Sequence, residues 1–134
     1  MRARYAIEVA AIRLQRTRTK AWLIVTIDAD AGSVDQRRRQ LARALEDSNE
    51  TPRTASEPAL NLAPKRNVET WIVCLNLEAV DEINDYRHDA RVASQSIKQA
   101  ARNVFAWTRP NCPIPSPCVP SLRDCLPEFD RLRD

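Results

Sequence analysis

The spacing of apolar positions divides the chain into alternating periods. Tyr5, Val9 and Ile12 recur at helical spacing, with Ala6 and Ala10 beside them and arginines elsewhere. This predicts a helix over residues 4–18. Residues 21–27, AWLIVTI, break that period with a short apolar run rich in β-branched side chains, which predicts a strand buried on both faces, as in a parallel sheet. After Gly32, Ser33 and Gln36 stand at capping-box spacing and open a helix to about Asp47, with Val34, Leu41, Ala42 and Leu45 facing inward. A polar loop, SNETPRTASE, leads to PALNLA at 58–63, a weaker strand framed by Pro58 and Pro64.

Asn67 is placed to cap a third helix, in which Val68, Trp71, Ile72 and Leu75 share a face. Residues 78–91 read as a charged loop. Ser94 is placed to cap the next helix, whose stripe is Ile97, Ala100, Ala101, Val104 and Phe105. Six of the nine prolines fall between 110 and 127, which predicts an extended segment there. Ser121 is the cap expected for a last short helix, interrupted or restarted at Pro127.

Alternating strands and helices predict an α/β fold: a small, mostly parallel sheet flanked by helices, with right-handed crossovers. The expected division is an α/β domain over 1–109 and a Pro-rich C-terminal tail over 110–134, whose short helix packs on the same domain. Two strands make a poor sheet, since independent stability generally needs three or more. Part of the sheet is therefore expected to be missing from this pattern.

Composition narrows the classes. With 43% hydrophobic and 29% charged residues, the chain reads as a globular domain, and its 134 residues suit one of ordinary size. No apolar run is long enough to span a bilayer, and the basic N-terminal stretch lacks the apolar core of a signal peptide, so a cytoplasmic protein without disulfides is expected. The net charge of +3 is unevenly spread, because residues 1–20 hold five Arg and one Lys against Glu8 alone. That asymmetry reads either as a surface for a polyanion or as a solvated helix face. Cys74 falls in an apolar helical pattern, as a buried thiol would. Cys112, Cys118 and Cys125 are spaced more widely than structural zinc pairs, and the lone His88 is far from them.

The candidate chemistry lies in two acidic stretches. Asp28 and Asp30 follow the first strand, at the carboxyl rim where ligands collect in open α/β sheets. Strand alternation predicts both side chains on one side, with Ala29 turned away. Two carboxylates so close repel, and a divalent cation such as Mg²⁺ or Mn²⁺ relieves that repulsion. The alternative is an exposed turn whose aspartates cap the next helix. PKRNVETWI, residues 64–72, belongs at the same rim and places Glu69 in a first helical turn, where the helix dipole alone also favours a carboxylate. Lys65 and Arg66 are either phosphate-seating charges or ordinary loop charges.

Taken together, LIVTIDADAG, PKRNVETWI, AVDEINDYRHD and the tail WTRPNCPIPSPCVPSLRDCLPE resemble a family of small prokaryotic proteins with a TOPRIM-like fold. TOPRIM is the domain shared by topoisomerases, primases and overcoming-lysogenization-defect nucleases. The resemblance implies a Mg²⁺-dependent domain that cleaves phosphodiester bonds in nucleic acid, linked to mobile elements or defence against phage. It implies that Asp28, Asp30 and Glu69 serve as metal ligands and catalytic carboxylates, with Lys65 and Arg66 on phosphate. Glu82, Asp85 and Tyr86 lie in the family-like segment without an assigned role, and His88 is either a proton carrier or a loop residue. TOPRIM domains also open with a strand carrying a glutamate, in a pattern like VEGxTE. Here a helix holds that place, and Glu8 is no substitute. The resemblance therefore implies a truncated product, or a homo-oligomer or partner chain that completes the sheet. A non-catalytic interaction module and a degenerate reading frame without activity are the competing expectations.

Overall fold

The computed structural model describes residues 2–30, 32–115 and 118–132. In chain order it contains α1 (Arg2–Gln15), β1 (Leu23–Thr26), α2 (Val34–Asp47), β2 (Ala59–Leu62), α3 (Val68–Leu75), α4 (Ser94–Trp107) and α5 (Pro120–Cys125). A 3₁₀ segment, Leu126–Leu132, continues directly from α5. The fold is α/β. β1 and β2 pair in parallel, with Leu23 opposite Ala59 and Thr26 opposite Leu62. None of the described helices is long and apolar enough to cross a membrane.

Two cores pack against the sheet. The first joins α1 and α2 through Tyr5, Val9, Leu41, Ala44 and Leu45, and takes in Leu23 and Val25 of β1. The second joins α3, α4 and the C-terminal segment through Trp71, Leu75, Ala100, Trp107, Leu122 and Leu126, and reaches Leu62 of β2. The C-terminal segment thus contributes five residues to this core, Cys118, Val119, Leu122, Cys125 and Leu126.

Ser33 caps α2, its hydroxyl accepting the Gln36 N–H at 3.0 Å, and Asn67 caps α3 in the same way through Thr70. Several expectations are corrected. β1 is not buried on both faces: Trp22 is 40% and Ile24 55% exposed, because the second core extends over β2 and stops short of β1. In α2 the inward position is Ala44, and Ala42 faces solvent. Ser94 does not cap α4. Ala93 occupies the cap position without a side-chain bond. The inward side of α4 is Ala100 and Trp107, while Ile97, Ala101 and Phe105 are exposed. Polar contacts fix that rotation: Asn103 Nδ2 donates to Leu75 O at 2.7 Å and Asn76 Nδ2 to Ser96 O at 3.0 Å. Ser121 is likewise no cap, since Pro120 occupies the first turn of α5 and Ser121 is buried behind it.

The outer edge of β2 is closed by side chains. Arg53 donates to Ala59 O at 2.6 Å and forms two bonds with Glu128, at 2.7 and 2.9 Å. Glu128 in turn accepts the Asn61 N–H at 3.2 Å. Burial pushes the Glu128 carboxyl up, but the bonds and charge of Arg53 outweigh it and hold the group below its ordinary 4.5. Arg13 does the same for Glu57. Carboxyls lowered on folding contribute stability above their unfolded pKa and lose it as pH falls through the folded value. The urea midpoint should therefore fall on acidification from roughly pH 5 towards 3. Glu128→Gln should flatten that dependence and cost about 1–3 kcal/mol at neutral pH, by leaving Arg53 partly buried without its counter-charge.

Candidate functional site at the carboxyl end of the sheet

Past Thr26 the chain stays against β2 for three more residues. Ile27 N donates to Leu62 O and Ala29 N to Pro64 O, both at 2.9 Å. Both residues are buried, and Asp28, between them, is half-buried at the rim. The alternation expected to align Asp28 with Asp30 does not reach Asp30. Its backbone is left-handed, with φ 52°, and the chain turns there, closed by Gly32 N to Ala29 O at 2.8 Å. Ala31 lies outside the described residues. Gly32 sits in a tight space: a Cβ there would stand 3.0 Å from Gln36 Oε1, the movable end of a side chain, and 3.2 Å from Ala29 O.

Lys65 holds this turn in place, its Nζ donating to Gly32 O at 2.7 Å. Its ammonium therefore shapes the aspartate loop, whatever further donors it offers a ligand. Arg66 has a buried Nε without a partner among the described residues. Asn67, fully buried, serves two elements at once. Its Oδ1 accepts the Thr70 N–H at 3.3 Å, and its Nδ2 donates to Asp85 Oδ1 at 2.8 Å. Asp85 also accepts the Arg87 N–H at 2.9 Å, and this bond first holds its carboxyl below the ordinary range. Arg87 then spans two segments, 3.1 Å from Asp85 and 3.8 Å from Asp30.

Asp28 collects the consequences. Burial first, then the charges of Glu69, Asp30 and Asp85, push its carboxyl above the ordinary 3.8, and Arg87 opposes them. The predicted carboxylates Asp30 and Glu69 thus both act on Asp28, as does Asp85. They do not form a closed cage: among the described residues no three His, Cys, Asp or Glu side chains are grouped to hold one ion. The donor chemistry nevertheless suits a hard cation. All the donors are oxygens, they repel one another, and Mg²⁺ takes only one or two carboxylates before completing its shell with water and phosphate.

A second node lies behind the rim. Ser121 Oγ accepts from Trp71 Nε1 at 2.8 Å and from Lys65 N at 3.2 Å, and donates to Glu82. It links the C-terminal helix, α3, the Lys65 loop and the 81–89 loop. Sequence spacing carried no sign of it, because Ser121 and Glu82 are 39 residues apart. Tyr86 belongs to the loop's own architecture, its hydroxyl accepting the Asp81 N–H at 3.1 Å. His88 is exposed. Cys74, Cys118 and Cys125 are buried free thiols, and burial pushes the last two up to about 11, away from reactivity at neutral pH.

Comparison of the chain with protein-family models, curated proteins and solved structures finds no match. The site is therefore read from its own residues.

Two outcomes follow from this geometry. Ser121→Ala should lower stability by roughly 1–3 kcal/mol in urea unfolding, because the buried Trp71 Nε1 loses its acceptor. Asp28 behaves in the opposite sense. A carboxyl raised on folding loses stability as pH rises from 3.8 through the folded value. Without divalent ions, Asp28→Asn should therefore melt above wild type at pH 7, and the difference should vanish below the ordinary aspartate range.

Proposed function

We propose that this rim is the Mg²⁺ site of a TOPRIM-like domain acting on nucleic-acid phosphodiesters. One observation carries the reading: burial and then the charges of Glu69, Asp30 and Asp85, from three separate segments of the chain, push the Asp28 carboxyl up, and Arg87 offsets them only in part. Such repulsion destabilises the folded chain, and a bound cation removes it. Asp28 and Glu69 would hold the ion, with Asp30 beside them and Mn²⁺ an acceptable substitute. The ion would supply polarisation of a phosphoryl oxygen and neutralisation of developing charge.

The protein's own groups do the rest. Arg87 positions Asp30 and Asp85, and Lys65 fixes the turn carrying Asp30. Arg66, on the same loop as Lys65, brings a guanidinium suited to a phosphate oxygen. The cationic excess near the N-terminus suits a polyanion.

Thermal melting with and without Mg²⁺ tests the binding step. Wild type should gain about 1.4 kcal/mol at a Mg²⁺ concentration ten times Kd, and Asp28→Ala should gain nothing. In parallel, supercoiled plasmid should be nicked only with Mg²⁺ and only by protein retaining Asp28. No Mg²⁺ stabilisation of wild type would overturn the reading. Stabilisation without nicking would reduce it to a metal-binding module.

A further inference from the structure

The two edges of the sheet differ. On the outer side of β2, Arg53, Glu128 and Cys125 take up the backbone of Ala59 and Asn61. On the outer side of β1, no described group takes up the backbone. The N–H groups of Leu23, Ile27 and Ala29 turn to the β2 side, to Pro58, Leu62 and Pro64. By alternation, the N–H and C=O of Trp22, Ile24 and Thr26 face outward from the sheet. Their side chains share the face that the second core leaves uncovered, where Ile24 is 55% and Trp22 40% exposed. The segment carries no charge, proline or bulge of the kind that ordinarily blunts an edge strand. Beside it runs a groove of about 370 Å³ between α1 and β1, lined by Arg4, Tyr5, Glu8, Leu23, Ile24 and Val25.

We infer that this edge pairs with the same edge of a second copy of the chain, antiparallel, about a two-fold axis at Ile24. Edge-to-edge pairing of identical strands closes into a dimer when the contact is isologous, and an antiparallel ladder meets that condition. The outward groups fix the register to even-numbered residues. An axis at Ile24 sets Ile24 against Ile24 and Trp22 against Thr26, so the uncovered apolar strip meets itself. Moving the axis one residue towards the rim sets Trp22 against the half-buried carboxylate of Asp28. The charges beside the groove suit the same operator. Arg4 and Glu8 form an exposed pair at 3.9 Å on α1, one of each sign. A two-fold copy presents them in reverse order, cation towards anion. The product is a four-strand sheet, β2-β1-β1-β2, above the size at which a sheet is independently stable. The inference is independent of the metal site.

Sedimentation equilibrium of wild type, Ile24→Lys and Ile24→Cys tests it. Wild type should sediment as a dimer. Ile24→Lys, a change on an exposed side chain, should keep wild-type circular dichroism and raise the dimer dissociation constant roughly tenfold or more, since like charges then stand directly opposite. Ile24→Cys in a Cys112→Ser background should form an interchain disulfide on mild oxidation, because paired Cα atoms lie about 5.5 Å apart, within disulfide reach. A monomeric wild type overturns the inference. So does a dimer that Ile24→Lys leaves intact, which would place the contact elsewhere, such as the exposed Ile7 and Leu14 of α1. Should Ile24→Lys fail to fold, the cysteine variant decides: a crosslink supports the pairing, and its absence in a dimer overturns it.

Discussion

The structure depends on hiding β2, four residues long, from water on every side. Ala59, Leu60 and Asn61 are each at most 6% exposed. Such a strand cannot supply its own cover, and each of its surfaces recruits a different part of the chain. Tyr5 of α1 closes one face, its hydroxyl accepting from Asn61 Nδ2 at 2.9 Å. Leu62 on the other face packs on the core built by α3, α4 and the C-terminal helix. β1 takes one edge, and Arg53 with Glu128 takes the other. A backbone group left bare in that interior would cost a few kcal/mol, so these polar closures are as necessary as the apolar ones.

The same cover builds the rim. The C-terminal helix that packs over β2 brings Ser121 to Trp71 and Glu82, which anchors the 81–89 loop. That loop delivers Asp85 and Arg87 to the end of β1, where Asn67 and Asp30 receive them. Convergence of carboxylates is then a product of the packing, and it has an energetic cost. Asp28 is desolvated among like charges, and Arg87 opposes them. A fold that holds such repulsion is less stable for it, which is the physical ground on which a cation is proposed at this end of the sheet.

Much of this was legible along the chain. The helical recurrence of Tyr5, Val9 and Ile12, the β-branched run before Asp28, and the caps Ser33 and Asn67 all express local rules, and local rules locate them. What escaped was set by distant contacts. The exposed face of β1 follows from where the second core stops, and the rotation of α4 follows from Asn76 and Asn103. Asp30 left the strand alternation because its backbone turns left-handed. The participation of Glu82, Asp85, Arg87 and Ser121 depends on a loop folding back over α3. No periodicity in 78–91 reports that fold-back. Charges there read as solvated until a partner is known.

The state of the Asp28 carboxyl tests the whole account most directly. Carbon-detected NMR titration of its Cγ, with and without Mg²⁺, reads the group itself rather than an activity that other defects also abolish. The expected result is a pKa above 3.8 in the metal-free protein that falls when Mg²⁺ is added, with the Glu69 Cδ resonance moving in the same titration. An Asp28 that titrates in the ordinary range and ignores Mg²⁺ would show that these carboxylates share a neighbourhood without sharing an ion.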